Sequence, residues 1–150
     1  MEIVYQSRSE IDPGTAAELG ARRVDLDELL SISDVVSLHC PYGPATHHLI
    51  GAEQLTAMKD SAYLVNTARG PIVDEAALAS ALREGRIAGA GLDVYEHEPQ
   101  VHPDLLELDN VVLVPHLGSA TVETRTAMAV LAADNVLAVL GGQRPPTPIR

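Results

Sequence analysis

Short apolar, β-branched runs alternate along the chain with segments of helical character. Ile3-Val4-Tyr5 reads as a strand, Ala16 to Leu19 as a short helix, and Arg22 to Val24 as a second short strand. Asp25 to Leu30 reads as a capped helical turn. Asp34 to His39 is a buried strand closed by Pro41, Ala52 to Met58 is helical, and Ala62 to Asn66 is the next strand. Asp74 is placed to N-cap a helix through Arg83, and Gly85 to end it. Ala88 to Val94 and Val111 to Val114 are strands. A last helix extends from about Thr121 to Leu140, ended by Gly141-Gly142 and a proline-rich tail.

Strands that alternate with helices predict an α/β domain built on a parallel sheet. The strands are near-continuous apolar runs, which predicts that both faces of the sheet are covered. No repeat, low-complexity tract or internal linker interrupts the pattern, so residues 1–142 read as one domain and Gln143 to Arg150 as a loose tail or the stub of a connection. Ligands of open α/β sheets bind beyond the carboxyl ends of the strands. That rule selects Gln6 to Ser9, His39 to Pro41, Thr67 to Gly70, Asp93 to Pro99 and Pro115 to Ser119, which are also the polar, Gly- or Pro-containing stretches.

Composition narrows the picture. A chain of 150 residues with 46% hydrophobic residues suits a single globular domain. The formal net charge of -11 repels phosphate backbones and argues against a nucleic-acid partner. No apolar run approaches the roughly 20 residues that span a bilayer, and Met1 to Tyr5 lacks the basic and apolar regions of a signal peptide. The single cysteine, Cys40, excludes an internal disulfide and fits a reducing, cytoplasmic setting. It reads as a small buried residue rather than a nucleophile. No metal site is expected: His47 and His48 are adjacent, His97 and His102 lie in a loop, and no His/Cys/carboxylate set has metal-ligand spacing.

Four stretches carry the chemistry. They are Asp34-Val-Val-Ser-Leu-His-Cys-Pro41, Val65-Asn-Thr-Ala-Arg-Gly-Pro-Ile-Val-Asp74, Gly89-Ala-Gly-Leu-Asp-Val-Tyr-Glu-His-Glu-Pro99 and Asn110-Val-Val-Leu-Val-Pro-His-Leu-Gly-Ser-Ala-Thr121. In their order and spacing they resemble the D-isomer-specific 2-hydroxyacid dehydrogenases, and within them the glyoxylate/hydroxypyruvate reductase branch. The resemblance extends over essentially the whole chain. It implies a Rossmann-like, doubly wound parallel sheet. It also implies reduction of a small 2-oxo acid to a D-2-hydroxy acid at the expense of NADPH or NADH.

The same resemblance assigns Arg69, Glu98 and His116 as the catalytic residues. An arginine suits a 2-oxo acid because its planar fork grips a carboxylate. A histidine suits proton donation to the developing alkoxide near neutral pH. An acid such as Glu98, hydrogen-bonded to that imidazole, favours its charged form and orients the ring. Taken singly, each also reads as a surface charge or a structural histidine; the shared family spacing favours the catalytic reading. Thr67, Ala68, Arg69, Asp93, His116, Gly118 and Ser119 resemble positions around the nicotinamide, and His39, Cys40, Pro41 and Thr46 are also expected to line the cofactor. After the first strand, the acid that binds ribose hydroxyls in NAD-preferring relatives is replaced by Ser7, followed by Arg8 and Ser9. A hydroxyl beside a guanidinium suits a 2′-phosphate, so NADP is expected over NAD. Glu10 counts against this, since a second basic residue nearby would suit a phosphate better.

No G-x-G-x-x-G occurs in the chain. In the family this fingerprint joins the first, central strand of the sheet to the first helix, and it lies just ahead of the strand found here at residues 3–5. The expected fold is therefore a partial dinucleotide-binding domain without its central strand and glycine-rich loop. Its early strands have no bridge to the later ones, and two edges are open to pairing. The reading that follows is a truncated reductase with little activity alone. Two alternatives stay open: a non-catalytic binding or interaction remnant, and one half of a split enzyme. A homodimer is plausible for a full-length form.

Overall fold

The structure is a computed structural model that describes residues 1–149. In chain order the elements are β1 (Ile3–Tyr5), α1 (Pro13–Leu19), β2 (Ala21–Arg23), α2 (Leu26–Ile32), β3 (Val35–Leu38), α3 (Ala52–Ala57), β4 (Tyr63–Asn66), α4 (Glu75–Arg83), β5 (Gly89–Leu92), β6 (Val111–Leu113) and α5 (Val122–Leu140). Single 3-10 turns lie at Gly70–Ile72 and Pro103–Glu107. The chain divides into two compact units, Met1–Pro115 and His116–Arg150. The boundary expected after residue 142 falls inside the second of these.

In the first unit every strand pair is parallel. β1 and β2 form a two-stranded sheet of their own, and β3-β4-β5-β6 form a four-stranded sheet in sequence order. Among the described residues no strand pairing joins the two sheets. The four-stranded register sets Leu64 level with Val36 and Ala90, and Asn66 level with Leu38 and Leu92. These residues share one face and are buried against Leu30, Leu55, Leu78 and Leu82 of α2, α3 and α4.

The expectation that both sheet faces are covered does not hold within this unit. Val35, Tyr63 and Val112 on the opposite face are 59%, 52% and 66% exposed. Side chains alternate across a strand, so helices packed on one side bury every second residue and leave the others open.

The helix boundaries follow local chemistry. Asp12 accepts from Thr15 N and Pro13 occupies the first helical position, so α1 starts three residues before Ala16. Gly20 ends it with φ 59°, in the left-handed region where glycine is unstrained. Asp25 and Asp74 cap α2 and α4 through Glu28 N and Ala77 N.

In the second unit Thr121 caps α5 by accepting from Thr124 N. None of the helix's residues is buried. Within the tail, Thr147 is tied to α5: Thr147 N donates to Asn135 Oδ1 at 3.0 Å, and Asn135 Nδ2 donates to Thr147 Oγ1 at 2.9 Å. Among the described residues no helix is long and apolar enough to cross a membrane.

Candidate active site

Because β3 to β6 are all parallel, their carboxyl ends lie along one edge of the sheet. Three of the stretches picked out in the sequence therefore begin at that edge. After β3, His39 Nε2 lies 2.8 Å from Ser37 Oγ. Cys40 is half-buried against the core rather than fully buried. Thr46 closes the following turn, donating to Pro41 O at 2.9 Å and accepting from Gly43 N at 2.9 Å. Its hydroxyl thus has a structural task in its own loop.

After β4 comes the loop that presents Arg69. Asn66, the last strand residue, is 1% exposed. Its carboxamide bridges the loop from below: Oδ1 accepts from Ala68 N at 3.1 Å and Nδ2 donates to Arg69 O at 3.0 Å. A carboxamide offers a donor and an acceptor side by side, and both are used. Thr67 and Arg69 are left exposed, with Ala68 half-buried between them. The guanidinium donates to Ala68 O at 2.6 Å and otherwise faces outward.

The turn at Gly70–Ile72 is held from two sides. On one side, His48 N donates to Pro71 O at 2.9 Å, Ile50 N to Ile72 O at 3.1 Å, and Asp74 N to Ile50 O at 3.0 Å. On the other, Gly70 lies directly against the Tyr95–Glu96 backbone, so that a Cβ there would sit 1.9 Å from Tyr95 C. The loop that carries Glu98 is thereby packed on the loop that carries Arg69.

After β5, Asp93 is 8% exposed and its N–H donates to Asn66 O at 3.0 Å. Tyr95 is buried, and its hydroxyl donates to Val114 O at 2.8 Å, fastening the loop to the end of β6. Burial pushes the Tyr95 phenol pKa up, helped by the negative charges of Asp93, Glu75 and Glu98. Glu98 Oε1 accepts from Tyr95 N at 3.0 Å, and the Glu98-Pro99 peptide is cis. The carboxylate of Glu98 is on an exposed residue.

The end of β1 holds the Ser7-Arg8-Ser9 turn. The Ser7 hydroxyl donates to the Ser9 carbonyl. Arg23, at the end of the neighbouring β2, donates to Ser7 O at 2.7 Å and to Arg8 O at 3.3 Å. A second guanidinium therefore stands beside Arg8, although Glu10 approaches it at 3.9 Å. Sequence reasoning missed Arg23 because its partner is 16 residues away; the parallel pairing Tyr5↔Arg23 brings them together. It also missed Asn66 and Gly70. A polar amide closing an apolar strand was the available signal for the first.

In the second unit, His116 takes a left-handed backbone conformation with φ 54°, uncommon for a residue with a Cβ. The turn that follows is closed by Ala120 N donating to Leu117 O at 2.9 Å. His116 and Gly118 are exposed and Ser119 is half-buried.

Parallel strands with polar, Gly- or Pro-containing turns beyond their carboxyl ends are the arrangement of the Rossmann-like class of dinucleotide-binding domains. The chain belongs to the family described as D-isomer specific 2-hydroxyacid dehydrogenase, NAD binding domain, whose sequence profile matches residues 1–118. It is 51% identical over 146 residues to a glyoxylate reductase of Thermococcus litoralis, covering 97% of this chain and 44% of that protein. It is 54% identical over 147 residues to the glyoxylate reductase of Thermococcus onnurineus, with 98% and 44% covered. Among solved structures, the TT0316 protein of Thermus thermophilus matches with a TM-score of 0.89 at 48% identity, over 100% of this chain and 46% of that one. An NADPH-dependent glyoxylate/hydroxypyruvate reductase of Sinorhizobium meliloti, in complex with NADP and malonate, matches with a TM-score of 0.88 at 38% identity, over 99% and 45%. The chain spans about half the length of the curated relatives it matches.

Proposed function

We propose that this chain supplies the cofactor-binding and acid–base residues of a reductase that converts glyoxylate, hydroxypyruvate or a related small 2-oxo acid to the D-2-hydroxy acid, with NADPH preferred over NADH. The observation that carries the reading is the Arg69 loop. A buried amide and a glycine with no room for a Cβ hold a permanently charged fork outward at the carboxyl edge of a parallel sheet.

Ser7, Arg8 and Ser9 fit the adenosine end of a dinucleotide, where a 2′-phosphate needs donors and positive charge. The exposure of Arg8 and the bracing of its carbonyl by Arg23 support that fit. Thr67, Ala68, Asp93, Gly118 and Ser119 are assigned to the nicotinamide end, and His39, Cys40, Pro41 and Thr46 to the lining of the cofactor site. A bound dihydronicotinamide supplies the hydride.

The remaining chemistry falls to the chain's own side chains. Arg69 binds the substrate carboxylate and draws charge toward the carbonyl oxygen as the alkoxide develops. His116 gives that oxygen its proton. Glu98 is assigned the role of the carboxylate that orients that imidazole.

The test is reduced-nicotinamide oxidation by the protein as its cells make it, with glyoxylate and hydroxypyruvate as substrates and NADPH or NADH as reductant. Faster turnover per unit of cofactor with NADPH supports the reading. Equal or better use of NADH overturns the cofactor preference, and no turnover of any 2-oxo acid overturns the reaction. Arg8→Ala should raise the KM for NADPH by about 10- to 100-fold, the equivalent of one charge-assisted hydrogen bond of about 1.5–3 kcal/mol, and leave that for NADH unchanged.

A further inference from the structure

Beside the turn that follows Arg69, two adjacent histidines meet a carboxylate from a distant part of the sequence. His47 and His48 stand at the turn before the Ile50 bridge, and Glu96 follows Tyr95. One ligand atom from each, two imidazole nitrogens and a carboxylate oxygen, lies within 4.8 Å of the others. We propose that His47, His48 and Glu96 form a binding site for a borderline transition-metal dication of the Zn2+, Ni2+ or Cu2+ type.

Two consecutive side chains normally diverge. Here they converge, because His48 has φ 49°, which swings its ring back toward its neighbour. The two ring centroids are 4.0 Å apart with an interplanar angle of 36°. The left-handed conformation is fixed by the His48 N–H, which donates to Pro71 O at 2.9 Å. Both imidazoles are thus brought to one place by backbone structure.

Glu96 completes the set from across the fold, with Oε1 2.6 Å from His48 Nε2. A tetrahedral Zn2+ holds N and O ligands at about 2.0–2.2 Å, which puts ligand atoms about 3.3 Å apart. The separations present, from 2.6 Å between His48 and Glu96 to at most 4.8 Å, bracket that spacing, and the His47 side chain is exposed.

The surroundings match what a metal-ligating histidine and carboxylate use. His48 Nδ1 faces Asp74 Oδ2 at 3.9 Å, on the ring edge away from Glu96. Glu96 Oε2 accepts from Glu75 N at 3.4 Å, and Glu96 N donates to the buried Glu75 carboxylate at 2.7 Å. A carboxylate facing the far ring nitrogen of a histidine and a donor to the ligating carboxylate are the kinds of outer contact that orient metal ligands. His48 and Glu96 also border a cavity of about 380 Å³, which Gln100, His97 and His102 help to line. That leaves space for the water ligands an open three-ligand site requires. Imidazole with carboxylate selects borderline metals rather than Mg2+ or Ca2+. Sequence spacing alone argued against a metal here, because the third ligand comes from a segment 48 residues away.

The experiment is calorimetric titration of the purified protein with ZnCl2, repeated with CuCl2 under electron paramagnetic resonance. The expected result is saturable binding of a single ion, with hyperfine splitting from two nitrogens in the copper form. His47→Gln and Glu96→Gln should each weaken Zn2+ at least about tenfold, whereas His102→Gln should leave it unchanged. His47→Gln is the variant least able to disturb folding, since the side chain is exposed. Absence of saturable Zn2+ binding, unchanged affinity in His47→Gln, or loss only in His102→Gln would each overturn the proposal.

Discussion

Two glycines test the packing account of the Arg69 loop against each other. At Gly70 a Cβ would lie 1.9 Å from both Tyr95 C and O and 2.4 Å from Glu96 N. Ordinary contact begins near 3.4 Å, so Gly70→Ala falls short by about 1.5 Å. Neither side has a rotamer to change. Residue 70 is locked by Val73 N donating to Gly70 O at 3.0 Å, and Tyr95 by its N–H to Glu98 and its hydroxyl to Val114 O.

Overpacking that side chains can relieve costs about 1–3 kcal/mol, so a backbone-on-backbone clash should cost about 3 kcal/mol or more. That is a large share of the 5–15 kcal/mol that typically separates folded from unfolded chains. At Gly91 no atom lies within 4 Å of the corresponding position and the backbone is not left-handed. Gly91→Ala should therefore be neutral or stabilise by about 0.4–1 kcal/mol through the unfolded chain. The chain has no tryptophan, so urea unfolding is best followed by far-UV circular dichroism. A Gly70→Ala midpoint within about 1 kcal/mol of Gly91→Ala, at unchanged slope, would refute the reasoning.

Two more outcomes follow from the same loops. Because the folded Tyr95 phenol has its pKa raised above 10.0, the stability it contributes is full below pH 10.0 and is lost as pH rises through the folded value. Tyr95→Phe should flatten that alkaline fall in denaturation midpoint while costing about 1 kcal/mol at neutral pH for the lost bond to Val114 O; an unchanged alkaline profile counts against it. Asn66→Ala strips partners from Ala68 N and Arg69 O and should destabilise by about 1–3 kcal/mol. Faster amide exchange at Ala68 is the local signature, and an Ala68 rate equal to wild type would show that the amide does not hold the loop.

What could be read from residues alone was whatever depends on local pattern. The apolar runs of β3 and β4 and the aspartate caps of α2 and α4 identify themselves, because a strand-length run and a cap each span only a few residues. The motifs containing Arg69, Glu98 and His116 were legible through their resemblance to the family's stretches, each of which occupies a few consecutive residues. Tertiary structure decided what depends on distant segments meeting. It exposed one face of the four-stranded sheet, because the helices of the first unit pack on the other. It tied Thr147 to α5 through Asn135, set Arg23 beside Arg8, and gave Asn66 and Gly70 their tasks under the Arg69 loop. It also brought Glu96 to His48 across 48 residues. Hydrogen bonds and close contacts between remote segments leave no periodicity in a sequence, so only the folded chain reveals them.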